Sequence, residues 1–296
     1  MENTHLITIA THNEGYYNAL KKSSNRYDYN LITLGFGQKW QGFIMKYKLL
    51  TETLNNYNDN DIIILIDAYD VIVTDSKSIA IEKFKKINKP ILLSKDGYTG
   101  NSIFNYLHSK IFDTYYNYQI CAGLMMGYVW ALKKLIFLMC GEELEKCKQL
   151  NLDDQVLLIN TCKKNKLYKN FVAIDNNSEI FYNTYGIVDN LEFNFEITDI
   201  FDIKNNKLYL KSTDISPCFI HGPGNTNLNN LCNFYDLPIS KKSSRDYVYR
   251  IKTYTKPQYL EKFSDEINMF KMFWIIFIII IIGFYVKDNY NIKIIN

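Results

Sequence analysis

Residues Asp61 to Val73 read DIIILIDAYDVIV, an apolar run that ends in two aspartates three positions apart and then becomes apolar again. A continuous β-branched run without alternation reads as a strand buried on both faces, the usual condition of a central strand in an α/β sheet. Asp67 and Asp70 then fall at the carboxyl end of that strand, where open α/β sheets present their ligand sites.

The flanking sequence repeats the pattern. Leu6 to Ala10, Asn30 to Leu34 and Pro90 to Ser94 read as further buried strands, and Gly42 to Tyr57 and Ser76 to Ile87 as helices. This alternation predicts a mostly parallel sheet with helices on both faces, the α/β class. A second set follows: a strand-like run from Ala122 to Tyr128, and helices from Trp130 to about Leu150 and from Asp153 to Asn165. Between Glu192 and Ile220, shorter runs surround Asn205-Asn206, which reads as a hairpin turn. One catalytic domain over 1–245 is the economical division.

Hydrophobic residues make up 47% of the 296, enough for a sizeable core. The 34 basic and 31 acidic side chains leave a formal charge of +3 with no basic stripe, which argues against a nucleic-acid partner. Cys121, Cys140, Cys147, Cys162, Cys218 and Cys232 form no Cys-x-x-Cys pair and no zinc spacing with histidine, so free buried thiols are expected. Met1 to Ala10 has neither a basic n-region nor a long apolar h-region, so it does not read as a signal peptide. Between Lys271 and Lys287 lies MFWIIFIIIIIGFYV, with Trp274 and Tyr285 near its ends. This run predicts a short transmembrane anchor over 269–287, preceded by a juxtamembrane segment 246–268 and followed by a tail 288–296. The expected location is a membrane, held by a single-pass C-terminal span.

Three stretches carry candidate chemistry. Carboxylates spaced as Asp67 and Asp70 are can hold a hard divalent cation such as Mn²⁺ or Mg²⁺, which in turn neutralises a diphosphate; the same spacing also fits a helix cap. His221 follows an apolar run and opens His-Gly-Pro-Gly, where its imidazole could be a third ligand and Gly222 and Gly224 could let backbone amides approach a phosphate; a simple turn fits as well. Asp153 and Asp154 open a helical pattern, either as N-terminal caps or as acidic groups facing an acceptor.

In this order the blocks resemble the glycosyltransferase domain of procollagen lysyl hydroxylases, the PLOD enzymes. Leu34-Gly35-Phe36-Gly37-Gln38-Lys39-Trp40-Gln41-Gly42 is similar to that family's Leu-Gly-x-Gly-x-x-Trp-x-Gly loop, and Asp67-Ala68-Tyr69-Asp70-Val71 to its Asp-x-Tyr-Asp-Val. Ala122-Gly123, Asp153-Asp154-Gln155, Ser178 to Phe181, and His221-Gly222 with Gly224 continue the match. The resemblance implies a GT-A-like (Rossmann-like) domain with a mixed sheet that uses Mn²⁺ and a UDP-sugar donor. Asp67, Asp70 and His221 take the place of the family's metal ligands. Trp40 and Tyr69 border the nucleotide, Lys46 sits near the donor, and Asp153 and Asp154 serve transfer. The implied activity moves galactose or glucose to a collagen-like or glycan hydroxyl. A UDP-sugar-binding protein without transfer is the alternative. Two departures support that alternative: Asn227 replaces a loop lysine of the family, and Lys95 to Gly100 lacks its Cys-Trp-Pro element. No His-x-Asp iron site occurs in the chain, so lysine hydroxylation is not expected of it.

Overall fold

The computed structural model describes residues 2–96, 120–141, 153–167, 170–184, 196–223, 226–240 and 264–290. The chain forms two units, Met1–Arg250 and Ile251–Asn296.

The first unit is built on a mixed six-stranded sheet in the order β2-β1-β3-β6-β5-β7. Its strands are β1 (Thr4–Ile9), β2 (Leu31–Leu34), β3 (Ile62–Asp67), β5 (Ile91–Lys95), β6 (Ile120–Tyr128) and β7 (Val172–Asp175). β1 pairs in parallel with β2 and β3, and β5 with β7, whereas β6 runs antiparallel between β3 and β5. The sheet is therefore mixed because of one inserted strand. Ile62 to Ile66 are essentially inaccessible to solvent, as the unbroken apolar run requires.

Alternate side chains of the central strands feed two cores. On one face, Ile7, Ile63 and Leu65 pack with α2 (Phe43–Leu54), α4 (Val129–Cys140) and α5 (Asp154–Lys164) through Leu50, Leu135 and Leu158. On the other, Leu6, Ile64 and Ile66 meet Leu20 of α1 (Tyr17–Arg26) and Phe84 of α3 (Lys77–Ile87). Burying each such side chain stabilises the fold by roughly 1.5–3 kcal/mol.

A second, three-stranded sheet runs in the order β4-β11-β8, from β4 (Val71–Val73), β8 (Phe181–Asn183) and β11 (Phe219–His221). Here β11 is antiparallel to β4 and parallel to β8. The hairpin expected at Asn205-Asn206 joins β9 (Phe201–Lys204) to β10 (Lys207–Leu210). Both asparagines have positive φ, 50° and 58°, the left-handed conformation that such tight hairpin turns demand and asparagine tolerates. Short helices α6 (Ile197–Ile200) and α7 (Asn229–Phe234) complete the described part of this unit. The helix expected to run to about Leu150 is described to Cys140 and capped by Gly141; residues 142–150 lie outside the described residues.

Cys121, Cys162, Cys218 and Cys232 are buried free thiols as expected, but Cys140 is disulfide-bonded, which corrects the free-thiol reading there. The second unit contains α8 (Ser264–Tyr290). Among the described residues no helix is long and apolar enough to cross a membrane. The transmembrane helix, the membrane partner and the single-pass membrane location expected from the sequence are corrected accordingly. The physical reason is length: the apolar stretch Met272 to Val286 spans roughly 22 Å as a helix, short of the ~30 Å hydrocarbon core. On its N-terminal side the helix also carries exposed Asp265 and Lys271.

Asp61 fixes where β3 starts. It is buried and accepts the amides of Asn3, at 2.8 Å, and Asn58, at 3.1 Å. Burial pushes its carboxyl up, but these amides outweigh it and hold the pKa below the usual value. A depressed folded-state pKa means stability that is present above the unfolded value of about 3.9 and lost as pH falls through the folded one. Asp61→Ala is expected to cost about 2 kcal/mol at pH 7 by leaving two amides without acceptors. Thermal melts of both proteins should converge as pH drops below about 4.

Candidate metal centre

The two sheets meet at the carboxyl end of β3. Asp67 ends β3, and after three intervening residues the chain enters β4, which the chain's later strand β11 pairs in the register His221↔Val71. The Gly222 amide donates to the Asp70 carbonyl at 2.8 Å. This non-local pairing sets His221 beside Asp70, and one ligand atom from each of Asp67, Asp70 and His221 lies within 4.8 Å of the others. His221 Nε2 is 3.3 Å from Asp70 Oδ1 and 3.9 Å from Asp67 Oδ2.

The support of His221 decides which nitrogen faces the carboxylates. Asn183 Nδ2 donates to the Lys95 carbonyl at 2.5 Å, so its Oδ1 faces His221 Nδ1 at 2.6 Å and must accept a proton from it. In the neutral ring Nε2 then carries the lone pair, and it is buried without a hydrogen-bond partner although a carboxylate oxygen stands 3.3 Å away. A lone pair converging with two carboxylates is repulsive unless a proton or a cation sits among them, so the donor set fits a divalent metal. When a proton takes that place instead, burial works against the charged ring, but Asp70 and then Cys121 outweigh it and hold the pKa well above the ordinary value. Gly123 of β6 makes the space: a Cβ there would lie 2.5 Å from His221 Cε1 and 2.7 Å from Asp67 Oδ2.

Lys46 on α2 reaches the same centre. Only 5% exposed, its ammonium donates to Asp67 Oδ1 at 3.2 Å, to Asp154 Oδ2 at 3.1 Å and to the Ala122 carbonyl at 3.3 Å. Burial lowers its pKa, but Asp67 and Asp154 outweigh that and hold it well above the usual value. Asp154 is thus tied to Asp67 through the Lys46 ammonium. Its neighbour Asp153 is the N-cap of α5, accepting from the amides of Gln155, at 3.0 Å, and Val156, at 3.4 Å.

The remaining sequence candidates fall into place unevenly. Thr11, in the loop after β1, donates its amide to the Tyr69 hydroxyl at 3.0 Å and accepts the Gly37 amide at 2.9 Å. Tyr69 and the loop carrying Trp40 are therefore fastened to one segment, with Trp40 46% exposed. The Gly222 amide is spent on Asp70, and a Cβ at Gly222 would press on Leu228 at 2.8 Å. Gly224 lies outside the described residues. Asn227 turns its side-chain oxygen inward, accepting from the Tyr16 hydroxyl and the Asn229 amide. A cavity of about 770 Å³ surrounds Asp61, Pro90 and Tyr128 at the opposite end of the strands. A cavity of about 490 Å³ opens beside Lys95, Asp96 and Asn183, on the edge that carries the carboxylates.

The PLOD GT domain model matches residues 1–244, a stretch that contains every residue of this centre. The chain belongs to that family. Among its relatives are the multifunctional procollagen lysine hydroxylase and glycosyltransferase of Caenorhabditis elegans, 26% identical over 248 residues, covering 77% of this chain and 32% of the relative. Procollagen-lysine,2-oxoglutarate 5-dioxygenase 1 of Gallus gallus is 25% identical over 243 residues, covering 77% and 31%. The human multifunctional procollagen lysine hydroxylase and glycosyltransferase LH3 is 25% identical over 256 residues, covering 75% and 30%. The chain thus spans about a third of the length of these curated relatives, and the resemblance read from short motifs holds over residues 1–244.

Sequence reasoning missed Asn183. A polar residue ending the apolar Ile180-Phe181-Tyr182 run was the available signal, because a side chain there that is 1% exposed must have a partner. Asn183→Ala removes the acceptor that orients His221 and should weaken Mn²⁺ binding 10–100-fold, read by equilibrium titration, with the fold retained.

Proposed function

We propose that this PLOD-type domain is a divalent-metal-dependent glycosyltransferase that moves a hexose, galactose or glucose, from UDP to a hydroxyl acceptor such as hydroxylysine or galactosyl-hydroxylysine. The observation that carries the reading is the convergence of Asp67, Asp70 and the buried lone-pair nitrogen of His221 on one point, with Asn183 fixing the ring. Mixed carboxylate and imidazole donors suit Mn²⁺, with Mg²⁺ as a weaker match. A cation held there supplies charge that offsets the negative charge developing on the departing diphosphate.

The chain's own residues do the rest. Trp40 and Tyr69, fastened through Thr11, border the nucleotide, where an aromatic face can stack on uracil. Asp153 and Asp154 serve the acceptor side, Asp153 held in one orientation by the amides at the start of α5. The cavity beside Asn183 gives an acceptor chain room within one residue of His221's support. Holding donor and acceptor together removes their relative freedom before the bond changes.

A second reading, a UDP-sugar-binding protein without transfer, draws on Asn227. Where the family carries a lysine, this side chain is occupied within the protein and adds no positive charge for a diphosphate. Measuring UDP release from UDP-galactose and UDP-glucose, each with and without Mn²⁺, separates the readings. Metal-dependent release from one donor is expected. Tight UDP binding with no release from either donor would favour the second.

A further inference from the structure

The resemblance places Lys46 near the donor, as a charge for the diphosphate, yet its surroundings leave it little scope for that. An ammonium has three N–H donors, and Lys46 Nζ has three acceptors at 3.1–3.3 Å: Asp67 Oδ1 from β3, the Ala122 carbonyl from β6, and Asp154 Oδ2 from α5. They come from three different elements, and the side chain is buried. The two oxygens of Asp67 are also divided: Oδ1 faces Lys46, and Oδ2 faces His221 Nε2 at 3.9 Å.

We propose that Lys46 is a positioning residue of the metal seat and not a donor contact. It grips Asp67 by Oδ1, which leaves Oδ2 turned toward His221, and it registers the start of α5 against the same carboxylate through Asp154. The inference rests on reading Asp67, Asp70 and His221 as metal ligands. Two effects oppose each other when the cation is removed. Losing a positive charge beside the seat favours binding of a divalent ion, because the attraction of the carboxylates is no longer offset. Losing the grip leaves Asp67 and Asp154 repelling each other across the vacated position, and Asp67 swings away. For a residue whose work is positioning, the second effect wins.

The test is equilibrium Mn²⁺ binding to the full chain without nucleotide, followed by electron paramagnetic resonance, for wild type, Lys46→Met, Asp154→Asn and the double variant. Lys46→Met should bind Mn²⁺ 10–100-fold more weakly, the range found when a ligand's supporting partner is lost. The double variant should be no weaker than Lys46→Met, because both changes break one network. UDP affinity at saturating Mn²⁺ should stay within about threefold of wild type. If Lys46→Met fails to fold because Asp154 is left as a buried unpaired charge, the double variant, which removes both charges, decides by the same two titrations. Mn²⁺ binding that is unchanged or tighter, with UDP binding weakened tenfold or more, overturns the proposal and returns Lys46 to the donor. A wild-type chain that binds no Mn²⁺ overturns the ligand assignment itself, and the proposal with it.

Discussion

Gly123→Ala is expected to abolish measurable Mn²⁺ binding, a loss of more than about 100-fold, although it adds a single methyl group. That methyl would sit 2.5 Å from His221 Cε1 and 3.2 Å from Asp67 Cγ, well inside the 3.5–4.0 Å at which carbon atoms rest. Neither neighbour can give way cheaply. His221 is tied to Asn183 and enclosed in β11, and Asp67 is gripped by Lys46. β6 cannot retreat either, since it is paired on both sides. Overpacking of this kind costs typically about 1–3 kcal/mol, so the variant should fold with a lowered melting temperature. A titration of the folded variant giving wild-type Mn²⁺ affinity would show that the glycine does not make room for the seat.

Asp70→Ala should reduce metal-dependent UDP release by roughly 10²–10³-fold, the order seen when one group stabilising developing charge is removed. The loss should fall on activity and leave stability nearly unchanged. Asp70 takes part in the β4–β11 junction through its backbone carbonyl, which accepts from Gly222, and Ala68 to Val71 keep their packing when the carboxylate goes. Asp70→Asn keeps the shape and one oxygen but loses the charge, and should fall close to Asp70→Ala. Release assays at saturating donor, with a thermal melt of each variant, check both halves of this expectation.

The parts of the fold legible in the sequence were those in which local pattern and burial coincide. Ile62 to Ile66 had to be a doubly buried strand because no polar residue interrupts it, and Asn205-Asn206 had to turn because two successive asparagines accept the left-handed conformation. The β4-β11-β8 sheet was not legible. Its strands are three residues each, too short for a periodicity, and the segments they pair, 71–73, 181–183 and 219–221, are distant in sequence. α1 was overlooked because its buried face includes Ser23 and Ser24 beside Ala19 and Leu20. The inserted antiparallel strand β6 reads from sequence like any other apolar run, since direction leaves no mark on composition. The apolar run in α8 shows the converse: strong hydropathy named a span that its length does not support.

The candidate site was legible in residue type and not in partnership. Asp67, Asp70 and His221 could be picked out because carboxylates at a strand end and a histidine before glycines are the residues a hard cation needs, and the fold brings these three together. What each supporting residue bonds to depends on the tertiary structure. The resemblance placed Lys46 near the donor, and the fold shows it buried with three acceptors. Asp153 read first as a cap, with an acceptor-side role implied by the resemblance, and its bonds to Gln155 and Val156 show that it does cap α5. Asn183, which selects the tautomer of His221, carried no motif at all.

The most direct measurement is the number of tightly bound Mn²⁺ ions per chain, counted by electron paramagnetic resonance in wild type and in Asp67→Ala, Asp70→Ala and His221→Ala. The account predicts one such ion in the wild type and none in each variant, with all four proteins folded. An ion bound with full affinity in all three variants would contradict it and place the metal elsewhere.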